Sequence, residues 1–260
     1  MNGLKEATVQ DIKTLYDEYS GATENKKGNI HLVMPQKTAS TQCRGMFTQA
    51  SEKGKFKISW GDRQTHSGFS FTRRLTEQKL KKSALRIGLV RNPWDWLVSL
   101  YFLPSVESHF NNIDFKDFIY WWASNKPLLK HPHHGAWKSV EWAYSPMCQV
   151  FHDDGKLAPH IIISAERINE GCQMIFDALE INLKAEGNKN YNKKIQYKNK
   201  KDFYDRETVG LVRKRMSMFI ELFNYYEGPN TAWKYKIPAL INDGAAIDYL
   251  PIQGKAGWIQ

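Results

Sequence analysis

The sequence predicts an α/β protein of three layers, a central parallel sheet flanked by helices. Two observations lead there. Short apolar runs of strand length recur at 30–34, 84–90 and 159–164, each followed by a segment of helical periodicity. Strands alternating with helices in this way are joined by crossovers, and crossovers make neighbouring strands parallel. A third observation places chemistry at the strand ends: PQKTASTQ at 35–42 and RNPWDWLVS at 91–99 each follow a strand and open a helix.

Residues 7–20 form the first helix, with Val9, Ile12, Leu15, Tyr16 and Tyr19 at helical spacing. The polar stretch GATENKKGN links it to the strand at 30–34, which stops at Pro35. A helix from Thr38 to Lys53 follows, then the alternating strand KFKISW at 55–60. Residues 61–72 read as a polar loop carrying His66. TEQKLKK at 76–82 reads as a short helix capped by Thr76. After the strand at 84–90, Asn92 and Pro93 start a helix to about Phe102, since proline suits the first helical position. A helical stretch near 114–124 lies within a Trp- and His-rich region at 104–157. The strand PHIIIS leads to a helix at 169–180 and a basic loop at 184–201. One long helix at 205–226 carries Val209, Val212, Met216, Phe219, Ile220 and Phe223 on one face. The tail 228–260 shows no clear period and reads as an ordered extension.

Composition bounds the function. The 260 residues are 42% hydrophobic and 13% aromatic, which excludes a disordered chain. No apolar run approaches the roughly 20 residues of a membrane span, and the N-terminal residues lack the apolar core of a secretory signal. Cys43, Cys148 and Cys172 include no CxxC pair and read as free thiols, the state expected in a reducing cytoplasm. The formal charge of +10 says that an anion is attractive to this protein.

Two segments suit that anion. In PQKTASTQ, backbone N–H groups and the positive end of the helix dipole face a bound anion. Lys37 adds a point charge, and Thr38, Ser40 and Thr41 add hydroxyl donors. The pattern GxxxxGK[ST] is absent, which argues against an ordinary ATPase or kinase loop. A plain strand–helix turn capped by Thr38 is the competing reading. In the second segment Arg91 ends a strand, and Ser99 lies eight residues later, about two helical turns away. Arginine offers a planar fork to phosphate oxygens and serine a hydroxyl. Each residue alone reads as well as an ion-pairing Arg, toward Asp95, and a small-residue helix position.

Together, PxKTxST after one strand and RNPxDxxVSxYF after another resemble the sulfotransferases that use 3′-phosphoadenosine 5′-phosphosulfate (PAPS). IIISAERINEGCQMIFDALEI at 161–181 and the closing helix ending in ELFNYYE are similar to later parts of that family, where ELFGY is the usual ending. The pattern is closer to the carbohydrate-type branch than to the small-phenol branch. The resemblance implies a P-loop-like nucleotide-binding fold in a single domain over 1–260, with its core at about 28–227. It implies that Lys37, Thr38, Ala39, Ser40 and Thr41 hold the 5′-phosphosulfate, with Ala39 where glycine is usual. It implies that Arg91 and Ser99 hold the 3′-phosphate. Lys193 and Lys194, in a loop with seven lysines and one glutamate, are further contacts of that kind.

In such an enzyme Lys37 neutralises the leaving phosphate of the cofactor, and adenosine 3′,5′-bisphosphate is the product. The catalytic base is His66, a residue type whose unperturbed pKa sits near neutrality, with Asp62 as the alternative. The acceptor is a hydroxyl, on a carbohydrate or small metabolite. No metal is needed for this chemistry. HPHHGAW at 131–137 is crowded for one helix face and has no carboxylate or thiol beside it. Trp121, Trp122, Trp137, Trp142 and Tyr144 suit either stacking on an acceptor or core packing, with core preferred for most. A small-molecule kinase and a basic nucleic-acid-binding protein are the alternatives. The first lacks the glycine-rich loop. The second predicts binding that falls steeply with salt.

Overall fold

The computed structural model describes residues 3–35, 38–54, 56–60, 84–102, 113–124, 156–187, 200–225 and 237–245. In chain order the elements are β1 (Leu4–Glu6), α1 (Val9–Tyr19), β2 (Gly28–Val33), α2 (Ser40–Lys53), β3 (Phe56–Trp60), β4 (Leu85–Val90), α3 (Pro93–Tyr101) and α4 (Phe115–Ala123). They continue with β5 (Ile161–Ser164), α5 (Ile168–Ala178), α6 (Arg206–Arg215), α7 (Ser217–Leu222) and β6 (Ala239–Asn242). The predicted helix at 76–82 lies outside the described residues.

One sheet joins all six strands in the order β1-β6-β5-β4-β2-β3. β3, β2, β4 and β5 are mutually parallel, as the sequence predicts. β6 and β1 add an antiparallel margin beyond β5. Neither was legible: β1 is three residues long, and β6 sits in the tail read as an unpatterned extension. Neither segment is a continuous apolar run bounded by a following helical period, as IIIS of β5 is, so only the partner strand identifies them.

β2, β4 and β5 are buried on both faces, which is why IHLV and IIIS read as unbroken apolar runs, whereas β3 at the sheet edge is only partly buried. Alternate residues supply two cores. Ile30, Leu32, Leu85, Ile87, Leu89, Ile161 and Ile163 face one core, with side chains from α1, α2 and α5. Val33, Val90, Ile162 and Leu240 face the other, with α3, α4, α6 and α7. Trp122 belongs to this second core and is fully buried, and Trp121 packs at its edge. Trp122 is therefore a core residue; Trp137, Trp142 and Tyr144 lie outside the described residues.

Helix packing fixes two details. Gly171 in α5 lies so close to its neighbours that a Cβ there would meet Ile163 Cγ2 at 2.5 Å and the Pro238 carbonyl oxygen at 2.8 Å. The helix therefore rests directly on β5 and on the entry to β6. The helix expected at 205–226 is broken in two at Met216, whose φ of −109° and ψ of 17° leave the helical region. The break keeps Val212, Met216, Phe219, Ile220 and Phe223 all in the same core.

Candidate active site at the sheet switch point

β2 lies between β3 and β4, so the chain leaves β2 toward one side of the sheet and leaves β4 toward the other. Open α/β sheets bind ligands in the crevice at such a reversal, beyond the carboxyl ends of the strands. The described residues of the two segments singled out by sequence follow the strands on either side of this reversal. Val33, the last residue of β2, is in register with Gly88 of β4, so the turns after the two strands are neighbours.

In the first turn, Thr38 is fully buried and its hydroxyl donates to the Pro35 carbonyl oxygen, closing a tight loop. Thr38 is not the helix cap expected of a plain turn. The N-cap is Ala39, and it offers no side-chain cap to α2. Ala39 has φ +60° and ψ 25°, the left-handed conformation that favours glycine. Ala39 thus adopts the backbone that the usual glycine would supply, with a methyl group added. Ser40 and Thr41 form the first two helical positions, and the first turn of α2 contains no acidic residue. The N–H groups and dipole of this helix end therefore meet no carboxylate from the helix's own first turn. Lys37 lies outside the described residues.

In the second turn, Arg91 directly follows β4 and is half-buried. Asn92 is the N-cap of α3: its Oδ1 accepts the N–H groups of Trp94 at 3.0 Å and Asp95 at 3.2 Å, and Pro93 takes the first helical position. Ser99 sits on α3 with 7% exposure, on the same strand-turn-helix unit as Arg91.

The described ends of the basic loop reach both segments. At its start, Ala185 N–H donates to Gln173 Oε1, and Gly187 lies against the side chain of Gln42 in the first turn of α2. Gln42 in turn donates to Asn169 Oδ1 on α5 at 2.8 Å. After it, the Tyr204 hydroxyl donates to the Trp94 carbonyl oxygen of α3 at 2.8 Å. Burial pushes the Tyr204 phenol well above its ordinary range, and Asp95 adds to the shift, so it stays a donor. Lys193, Lys194, His66 and Asp62 lie outside the described residues, as do the 131–137 segment and Cys148.

Behind the first turn, Cys43 of α2 and Cys172 of α5 are free, buried and adjacent. Burial first, and then the neighbouring thiol, pushes the Cys172 thiol up. These are packing residues of the interface that backs the crevice. Gln42, Tyr204 and Glu166, whose Oε1 accepts the Asn92 N–H, were not assigned roles from sequence, and Asn92 was read only as a helix start. Only Asn92 carried a local signal, as a helix start before proline; the others act across the chain.

Among the described residues no helix is long and apolar enough to cross a membrane. Comparison with curated proteins and with solved structures finds no match. Residues 24–226 match the family model described as "Sulfotransferase family", a span that contains both turns and most of both cores. The chain belongs to the sulfotransferase family.

Proposed function

We propose that this protein transfers a sulfuryl group from PAPS to a hydroxyl of a carbohydrate or small metabolite. The observation that carries this reading is the pair of anion-suited turns at one switch point, in a chain of the sulfotransferase family. An uncapped helix start with no acidic residue suits a phosphosulfate, and an arginine at the adjacent strand end suits a second phosphate.

When bound, the donor supplies an activated sulfuryl group on a phosphate leaving group. The chain's residues do the rest. Lys37 neutralises charge on the leaving phosphate; Thr38 and Ala39 hold its oxygens through backbone donors, the Thr38 hydroxyl being spent on Pro35, and Ser40 and Thr41 through backbone and hydroxyl donors. Arg91 and Ser99 hold the 3′-phosphate. Lys193 and Lys194 add charge from the loop whose ends are tied to Gln42 and Trp94. His66 takes the proton from the acceptor hydroxyl, Asp62 being the reserve base. The reducing cytoplasm is the proposed setting, supported by the free thiols of Cys43 and Cys172.

Thermal-shift titration tests this. Adenosine 3′,5′-bisphosphate should raise the melting temperature where ATP does not, and Arg91→Ala should abolish most of that shift. Absence of any shift with the bisphosphate overturns the reading. Nucleic-acid binding that is steep in salt and unchanged by Arg91→Ala would put the charge to another use.

A further inference from the structure

We propose that Glu166 is a positioning residue for the 3′-phosphate subsite, acting through the backbone that carries Arg91; this rests on the reading of Arg91 given above. Glu166 lies in the 3-10 turn Ala165–Arg167 that follows β5. Its Oε1 accepts the backbone N–H of Asn92 at 2.7 Å. Its Oε2 accepts the Ser164 hydroxyl at 2.5 Å and the Tyr225 hydroxyl at 3.4 Å. Ser164 is 2% exposed, and Tyr225 is fully buried.

The location explains the effect. The β4–β5 ladder pairs Val90 with Ser164 as its last rung. One residue further on, the strands can no longer exchange backbone hydrogen bonds, yet Arg91 must hold its place. The Glu166 carboxylate takes over by pinning the peptide that joins Arg91 to Asn92. Asn92 then caps α3, which carries Ser99, so one carboxylate orders both ends of the Arg91–Ser99 unit. A carboxylate near a phosphate site would repel the ligand if its charge were unanswered. Here three donors converge on it.

The test measures binding of adenosine 3′,5′-bisphosphate and of adenosine 5′-phosphate to the full chain by calorimetry. The readout is the ratio of the two affinities, which a general loss of stability would not move. Glu166→Ala should weaken the bisphosphate roughly tenfold or more and leave the monophosphate within about twofold, as expected for loss of a charge-assisted hydrogen bond. Glu166→Gln keeps an acceptor for Asn92 N–H and should stay within about threefold of wild type. Glu166→Asp, one methylene shorter, should lose the ratio as Ala does and decides the matter if the Ala variant does not fold. Equal ratios in wild type and in the Ala or Asp variant overturn the role of Glu166 alone. A wild-type chain without preference for the bisphosphate overturns the reading of Arg91 and this role with it.

Discussion

Replacing helix-interior glycines by alanine should change stability with opposite signs at Gly171 and at Gly210. Alanine is the better helix former by about 1 kcal/mol, so the substitution ordinarily stabilises. Gly210 is exposed on α6 and a Cβ there meets nothing within 4 Å, so Gly210→Ala should gain about 0.5–1 kcal/mol. At Gly171 the new methyl would stand 2.8 Å from the Pro238 carbonyl oxygen and 2.5 Å from Ile163 Cγ2. A backbone oxygen at the entry to β6 cannot rotate aside, so α5 must move off the sheet. Overpacking of this kind costs about 1–3 kcal/mol, which outweighs the helical gain. The net loss of about 1 kcal/mol should lower the melting temperature by about 2–4 °C. Urea unfolding of both variants, with midpoints compared at constant m-value, provides the assay. A Gly171→Ala variant as stable as wild type or more so would refute the close approach of α5 to β6.

Three further outcomes are expected. Ala39→Gly should raise the unfolding midpoint slightly and Ala39→Val should lower it, because Ala39 holds φ +60°, which costs an L-residue about 1–2 kcal/mol; midpoints ranked Val above Ala would contradict that conformation. The side-chain and backbone hydrogen bonds from Thr8, with Lys5, hold the Asp11 carboxyl down at about 2, against 3.8 when unperturbed. Its contribution to stability is therefore complete above about pH 4 and lost as pH falls toward 2, and Thr8→Ala should return the Asp11 titration, followed by NMR, toward 3.8. His66→Ala should lose most turnover at saturating acceptor while keeping affinity for adenosine 3′,5′-bisphosphate; unchanged turnover would transfer the base role away from His66.

Legibility followed the range of the forces involved. The parallel core strands and the helices α1 to α5 were readable because periodicity and local turn residues encode them. Thr8 capping α1 and Asn92 capping α3 act within three residues of themselves. The two anion-suited turns were readable for the same reason, as short strings placed at strand ends. The left-handed turn at Ala39 was not, since alanine carries no signal for positive φ; only glycine's usual presence in relatives hinted at it. Asn224 repeats the pattern, with φ +56° where the family ending ELFGY has glycine. Asparagine tolerates that conformation better than alanine does.

Local chemistry in the chain thus set the fold class, the parallel strands and the residue types able to meet an anion. Tertiary structure alone decided which strands neighbour which, and so that the turns after β2 and β4 share one crevice. It also decided that β1 and β6 complete the sheet, that α6 and α7 part at Met216, and that Glu166 reaches Asn92 across 74 residues. The physical reason is common to these features. Each depends on a partner remote in sequence, and a side chain's burial or hydrogen bond to such a partner leaves no mark on its own neighbours along the chain.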